Sequence, residues 1–176
     1  MPLFQIREKA LHARVLYELT ARAVEITRAS KTRLLVNDRS DIARAAGADG
    51  VQLTAQSLPV NVVRQVHGSD FLIGASTHSL ETAREATING ADLVLFGPVF
   101  ETDSKRAYGA PQGLEKLRAV ADELRSFPVI AIGGITLENV ANCFDAGASG
   151  IAAIRLLNDA ASLKPIVEKI RDGFNA

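Results

Sequence analysis

Polar, charged and glycine residues that could carry out chemistry follow short apolar runs at six places along the chain and interrupt a seventh run. In chain order these groups are residues 7–9, 37–39, 54–57, 76–78, 101–106, 133–134 and Arg155. Carboxylates hold metal ions, imidazoles and carboxylates move protons, and cationic side chains and exposed glycine N–H groups bind anions. A single residue of this kind is often a solvated loop residue, but seven recurring groups predict a small-molecule site.

Gly133, Gly134 and Arg155 predict phosphate binding. The N–H groups of two consecutive glycines are unshielded by side chains, and they precede a predicted helix whose N-terminus attracts anions. Arg155 adds a planar guanidinium that can bind phosphate through two hydrogen bonds. Lys105 lies in a loop of residues 100–113, which is longer than an ordinary βα connection and is a candidate lid. We therefore expect a small phosphorylated substrate.

His78 is the residue best suited to proton transfer, because an imidazole titrates near neutral pH. The alternative is a surface histidine beside a helix cap, since Ser79 follows it. Cys143 lies in a predicted helix and is interpreted as a small buried apolar residue rather than a nucleophile.

One short pattern recurs three times, at residues 46–51, 89–94 and 146–151. Each copy contains Gly-Ala followed by Asp or Ser, follows a segment with helical spacing and precedes a short apolar run. Gly47, Gly90 and Gly147 suit the left-handed conformation that ends a helix. Each copy therefore predicts a turn from a helix into a strand.

The repeated turn extends to a regular alternation of strands and helices. Strands are predicted at residues 3–6, 33–37, 50–54, 71–76, 93–99, 129–133 and 150–156. Helices are predicted at residues 11–28, 41–46, 60–66, 80–89, 114–125, 137–146 and 160–172, with Ser79 and Thr136 as N-caps of two of them. Continuously apolar strands indicate a parallel sheet covered by helices. Seven βα units without a linker, and without a Gly-x-Gly-x-x-Gly motif, favour an α/β fold of the TIM-type (β/α)-barrel class over a dinucleotide-binding sheet.

The composition excludes several classes of protein. Twenty Lys and Arg balance 20 Asp and Glu, which argues against a partner that is nucleic acid or an anionic membrane, since both need a basic surface. A single cysteine excludes an internal disulfide, and no apolar run approaches the roughly 20 residues of a membrane span. With no signal-peptide core near the first residues, we expect a cytoplasmic protein.

Six segments, in order, resemble the thiamin phosphate synthase family, which includes the TenI-like thiazole tautomerases. They are QIREK (5–9), VNDR (36–39), GVQL (50–53), IGASTHS (73–79), FGPVFETDSK (96–105) and AIGGIT (131–136). In the synthase, the resemblance implies coupling of hydroxymethylpyrimidine diphosphate to a thiazole phosphate, with Mg²⁺ on the departing diphosphate. The resemblance extends over essentially the whole chain.

The resemblance also implies roles for individual residues. His78, Lys105 and Arg7 are the expected catalytic residues, and Asp38 is the metal ligand if the protein is a synthase. The expected substrate and phosphate contacts are Asn37, Ser76, Thr102, Gly133 and Gly134, and to these we add Arg155 on the chemistry of its guanidinium and not on the resemblance.

Two positions depart from the synthase pattern. Ser57 stands where a second metal-binding Asp is usual, and Mg²⁺ prefers charged oxygen ligands. Arg155 stands where a Ser is usual. Together with the segment 100–103, the loss of the carboxylate favours the TenI-like branch, a metal-free tautomerase with His78 as acid and base; the synthase is the alternative.

Three further expectations concern the whole chain. A non-catalytic paralogue that only binds a phosphate ligand remains a third alternative. Relatives would have one more βα unit before Leu3, so we predict one domain over residues 1–176, a barrel with seven strands that is incomplete or completed by a partner. The resemblance also suggests a homodimer.

Overall fold

A computed structural model describes residues 2–102, 110–158 and 161–174. Its seven strands are β1 (Leu3–Ile6), β2 (Arg33–Asn37), β3 (Gly50–Leu53), β4 (Leu72–Thr77), β5 (Leu93–Phe96), β6 (Val129–Ile132) and β7 (Gly150–Ala152). Its helices are α1 (Ala13–Thr27), α2 (Ser40–Ala46), α3 (Val60–His67), α4 (Leu80–Ile88), α5 (Gly113–Glu123), α6 (Val140–Asp145) and α7 (Leu163–Phe174), with a short 3-10 helix at Arg155–Leu157. The predicted alternation is therefore confirmed, and the fold is α/β of the TIM-type class with seven strands in the described residues.

The chain divides into two compact units. The first comprises residues 1–76 and 86–92, and the second comprises residues 77–85 and 93–176. The prediction of a single domain over residues 1–176 stays a prediction.

In the first unit, β1 to β4 lie side by side in sequence order, and each adjacent pair is parallel. Apolar side chains of β2 and β3, such as Leu34, Val36 and Val51, are fully buried and pack in one cluster with residues of the helices, including Leu16 and Val63. Because helices cover the strands on the outside, apolar residues continue along them without the alternation of a half-exposed sheet.

The recurring Gly-Ala-Asp turn has a structural reason that the pattern alone did not reveal. Gly47 and Gly90 have φ of 77° and 95°, the left-handed conformation predicted for them. The acid that follows then receives a backbone hydrogen bond from the start of the preceding strand: Leu34 N donates to Asp49 Oδ2 at 2.8 Å, and Ile73 N donates to Asp92 Oδ2 at 2.7 Å. The turn thus connects a helix to the next strand and also fixes the beginning of the strand before it.

Arg64 secures the second of these turns. Its guanidinium donates to the carbonyl oxygens of Gly68, Phe71 and Gly90 and to Asp92 Oδ2 at 2.6 Å. A planar group with five donors can satisfy several acceptors that no strand or helix satisfies.

In the second unit, β5, β6 and β7 are parallel in sequence order. Phe96, Leu117, Ala131 and Cys143 are fully buried there. Cys143 is fully buried, which confirms its interpretation as an apolar core residue, and burial raises the pKa of its thiol to about 11.

Three predicted boundaries were wrong. The strand predicted at 93–99 ends at Phe96, because Pro98 has no N–H to donate to a neighbouring strand. The strand predicted at 150–156 ends at Ala152, so Arg155 lies in the 3-10 helix and not in a strand.

The helix predicted at 137–146 begins only at Val140, and its cap residue is Asn139 rather than Thr136. Thr136 N donates to Asn139 Oδ1 at 2.9 Å, which holds the preceding residues in a turn. The other predicted cap is confirmed: Thr82 N donates to Ser79 Oγ at the start of α4.

Among the described residues, no helix combines the length and the apolar character needed to cross a membrane.

Candidate functional site

A row of polar side chains crosses the first unit, one residue from each of its four strands. We call this row the polar ladder: Gln5 on β1, Asn37 on β2, Gln52 on β3 and Ser76 on β4. Gln5 Nε2 donates to Asn37 Oδ1 at 3.0 Å, and Gln52 Nε2 donates to Ser76 Oγ at 3.1 Å.

The strand register places all four ladder residues on the same face of the sheet. Gln52 is in register with Asn37 on one side and with Gly74, two residues before Ser76, on the other. Gln5 is in register with Leu35, two residues before Asn37. Because side chains alternate between the two faces of a strand, residues two apart share a face.

Asp38 lies at the end of β2, next to the ladder. Its φ is 66°, an uncommon conformation for a residue with a side chain, and its N–H donates to the carbonyl oxygen of Gln52 at 2.9 Å. Residues held in such conformations often belong to functional sites. Its side chain is exposed, whereas the nearby Asp41 is engaged by Arg39, which lowers the pKa of the Asp41 carboxyl. Arg7, just beyond β1, is exposed.

Ser57 uses its hydroxyl within its own loop. Thr54 N donates to Ser57 Oγ at 2.8 Å, and the two hydroxyl oxygens are 3.1 Å apart. Ser57 therefore contributes a neutral, locally bonded oxygen to the loop after β3. No cluster of three or more His, Cys, Asp or Glu side chains suited to a metal ion occurs in the described part of the chain.

His78 lies in the second unit, directly after β4, and its ring is exposed. Its Nδ1 is hydrogen-bonded to the carbonyl oxygen of Gly97. A carbonyl oxygen only accepts, so Nδ1 carries a proton in this contact, and in the neutral imidazole Nε2 is then the acceptor. His78 also lines a cavity of about 230 Å³ with Gln112 and Lys116 near the start of α5.

The glycine pair after β6 forms a tight turn. Gly133 and Gly134 have φ of 101° and 66°, and a Cβ on either would lie within 3 Å of neighbouring atoms. Their carbonyl oxygens are used: Phe100 N donates to Gly133 O at 3.0 Å, and Asn139 Nδ2 donates to Gly134 O at 2.9 Å.

Within the described residues, no hydrogen bond engages the N–H group of Gly133 or Gly134. Because α6 starts only at Val140, a phosphate at this turn would meet these backbone N–H groups rather than the end of a helix. The predicted reason for phosphate binding is corrected accordingly.

Three predicted site residues, Thr102, Lys105 and Arg155, come from the loop after β5 and from the segment after β7. Thr102 is half-buried in the loop after β5, and Arg155 is exposed in the 3-10 helix. Lys105 and the central part of the predicted lid lie outside the described residues.

Two ladder residues, Gln5 and Gln52, were not among the predicted site residues. Both belong to segments that carried the resemblance, but each looks like a strand residue within an apolar run. The signal that could have found them is an amide inside a buried parallel strand, where an apolar residue is usual.

Known proteins match this chain over most of its length. The family model described as "Thiamine monophosphate synthase" matches residues 1–157. The thiamine-phosphate synthase of Moorella thermoacetica is 39% identical over 96% of this chain and 80% of its own length. That of Methanoculleus marisnigri is 41% identical over 99% of this chain and 82% of its own length.

A solved structure has the same fold. It is the thiamine phosphate pyrophosphorylase from Pyrococcus furiosus, which matches with a TM-score of 0.86 and 36% identity, covering 98% of this chain and 82% of that one.

Proposed function

Because the chain belongs to the thiamine monophosphate synthase family, we propose that it is a thiamine-phosphate synthase, which couples hydroxymethylpyrimidine diphosphate to a thiazole phosphate. The relatives with this name cover nearly the whole chain and favour the synthase over the tautomerase that Ser57 suggested. We further propose that it acts in the cytoplasm on small phosphorylated substrates, without nucleic acid or a membrane as partner, and as a homodimer.

The polar ladder is the observation that carries this proposal. A tautomerase acts on one phosphorylated thiazole, for which the glycine turn and His78 provide the needed groups. The ladder, with Asp38 beside it, would then have no substrate to bind. A synthase has a second substrate, whose diphosphate needs hydrogen-bond donors and cations.

Each group of the chain has a role in this reaction. The N–H groups of Gly133 and Gly134 hold the thiazole phosphate. Asn37 and Ser76 of the ladder, together with Arg7, bind the pyrimidine diphosphate; for Thr102 and Lys105 a contact with the same substrate is implied by the resemblance alone. The thiazole nitrogen forms the new bond to the pyrimidine methylene carbon, and the bond from that carbon to the diphosphate oxygen breaks with its electron pair leaving on the diphosphate. These donors stabilise the charge that develops on this leaving group.

The residues present fit a magnesium ion that is shared with the substrate. Mg²⁺ is commonly held by one or two carboxylates together with substrate phosphates and water, so the exposed carboxylate of Asp38 suffices on the protein side. When bound, the ion would neutralise charge on the departing diphosphate. Ser57 contributes a neutral oxygen in place of a second carboxylate.

The first test is a coupled assay with both substrates, with and without Mg²⁺. We expect Mg²⁺-dependent turnover that falls at least roughly a hundredfold in Asp38→Asn, because the single carboxylate is lost. Asp41→Asn, which removes a nearby carboxylate already bonded to Arg39, is the matched control and should keep full activity. Ser57→Asp should lower the Mg²⁺ concentration needed for half-maximal rate. Unchanged turnover in Asp38→Asn would contradict the metal role.

The tautomerase is the second candidate, favoured by the His78–Gly97 contact, which leaves Nε2 as a proton acceptor. His78→Ala should then abolish turnover of the thiazole carboxylate phosphate and leave thiazole phosphate binding intact. Full activity in that variant excludes the role of His78. Binding of both substrates without turnover of either would instead support a non-catalytic paralogue.

A further inference from the structure

Gln52 is the most deeply buried member of the polar ladder. Its side chain is 1% exposed, and its Oε1 has no hydrogen-bond partner among the described residues. Buried polar atoms without a partner are uncommon, because each loses its hydrogen bonds to water. An apolar residue of the same size would avoid that loss, so Gln52 calls for an explanation beyond packing.

The surroundings of Gln52 fix which way its amide points. Nε2 lies 3.1 Å from Ser76 Oγ and 3.4 Å from the carbonyl oxygen of Leu53. That carbonyl can only accept a hydrogen bond, so the atom facing it must be the amide nitrogen. The same NH₂ group therefore donates to Ser76.

This donation determines what Ser76 can do. A serine hydroxyl has one proton to donate and accepts through its oxygen. Because the NH₂ group of Gln52 donates to Ser76 Oγ, the hydroxyl hydrogen of Ser76 cannot point toward Gln52. That hydrogen is therefore available to an acceptor elsewhere. Ser76 is half-buried at the end of β4, where strand ends of this fold class meet their ligands.

We propose that Gln52 is a positioning residue that holds Ser76 Oγ as a hydrogen-bond donor to the diphosphate of the pyrimidine substrate. The inference rests on the proposed synthase function. Gln52 itself does not contact the reacting atoms; it acts by fixing the direction of the Ser76 proton, which suits the acceptor-only oxygens of a diphosphate.

The test is a double-mutant cycle with Gln52→Met, Ser76→Ala and the double variant. A Met side chain is close to Gln52 in size but cannot donate a hydrogen bond to Ser76. Each single variant should raise the KM for the pyrimidine diphosphate roughly tenfold, the loss expected for one hydrogen bond to a charged group. The double variant should lose no more than Ser76→Ala alone, because Gln52 acts only through Ser76.

Two readouts separate positioning from a general structural effect. The KM for the thiazole phosphate should not change in Gln52→Met, and the affinity for inorganic diphosphate should fall by the same factor as the KM for the pyrimidine substrate. If Gln52→Met does not fold, Gln52→His, which keeps a ring N–H donor, should retain the wild-type KM.

Three results would overturn the inference: a wild-type KM in folded Gln52→Met, losses that add in the double variant, or equal changes of KM for both substrates. A Gln52→His protein that folds with a raised KM for the pyrimidine diphosphate also counts against it. Failure of the proposed function looks different, because the wild-type protein would then neither turn over the substrate pair nor bind diphosphate.

Discussion

Gly134→Ala tests whether the glycine turn after β6 is built to hold a phosphate. Gly134 has φ of 66°, and a Cβ there would lie 2.6 Å from the carbonyl oxygen of Glu101 and 2.7 Å from Phe100 Cβ. Contacts of this length cannot persist, and the atoms opposing the Cβ include backbone. The turn itself must therefore shift.

The loss of stability in Gly134→Ala combines a conformational cost, an entropic offset and a cost of steric overlap. The left-handed conformation costs an alanine about 1–2 kcal/mol, and a lower chain entropy in the unfolded state offsets about 0.4–1 kcal/mol of this. The overlap with Glu101 and Phe100 adds about 1–3 kcal/mol. We expect Gly134→Ala to lower the free energy of unfolding by about 1–5 kcal/mol and to weaken thiazole phosphate binding by at least roughly tenfold.

Gly47→Ala is the matched control. Gly47 has φ of 77°, but a Cβ there would meet nothing within 4 Å, so only the conformational cost of about 1 kcal/mol applies. Urea denaturation, monitored by circular dichroism, measures the free energy of unfolding of both variants. Titration calorimetry measures their affinity for the thiazole phosphate. If Gly134→Ala matched Gly47→Ala in stability and in affinity, the reasoning from close approach would be refuted.

The remaining predictions concern three buried side chains, Thr77, Thr20 and Cys143. Thr77 has a buried hydroxyl without a partner in the described residues, so Thr77→Val should raise the free energy of unfolding by about 1 kcal/mol. Thr20→Val should lower the free energy of unfolding by a similar amount, because Thr20 Oγ1 donates to the carbonyl oxygen of Leu16 at 2.7 Å. Chemical denaturation measures both variants, and a change of the same sign in the two would contradict this reasoning. Because burial raises the pKa of the Cys143 thiol from 9.0 to about 11, the folded protein should resist thiol-alkylating reagents at pH 8 and react only when unfolded. The same shift contributes stability that is complete below pH 9 and declines as the pH rises toward 11; Cys143→Ala, compared by denaturation across that range, should lack this decline.

The sequence pattern predicts the order of strands and helices because each βα unit carries its own signals. Gly47, Gly90 and Gly147 end helices in the left-handed conformation as predicted, and the apolar runs that follow them become strands. The wrongly predicted boundaries have local causes that the periodicity of apolar residues does not reveal. Pro98 ends a strand, and the side chain of Asn139 organises a turn where helical spacing continues.

The site was harder to predict than the fold. Residues after strand ends, such as Asp38 and His78, are visible in the sequence as polar interruptions. Gln5 and Gln52 are not, because their importance depends on strand register, which places them beside Asn37 and Ser76. Register is a tertiary property that a single strand does not encode.

The polar ladder also bears on how the protein acquires binding competence as it folds. Its two hydrogen bonds join residues 32 and 24 positions apart in the chain, and its four members come from four different strands. None of these pairs can form until successive βα units have docked, which places them among the slower, non-local events of folding. A partly folded chain with native helices would therefore lack the ladder, and in refolding experiments diphosphate binding would report the completed assembly of β1 to β4 rather than the formation of secondary structure.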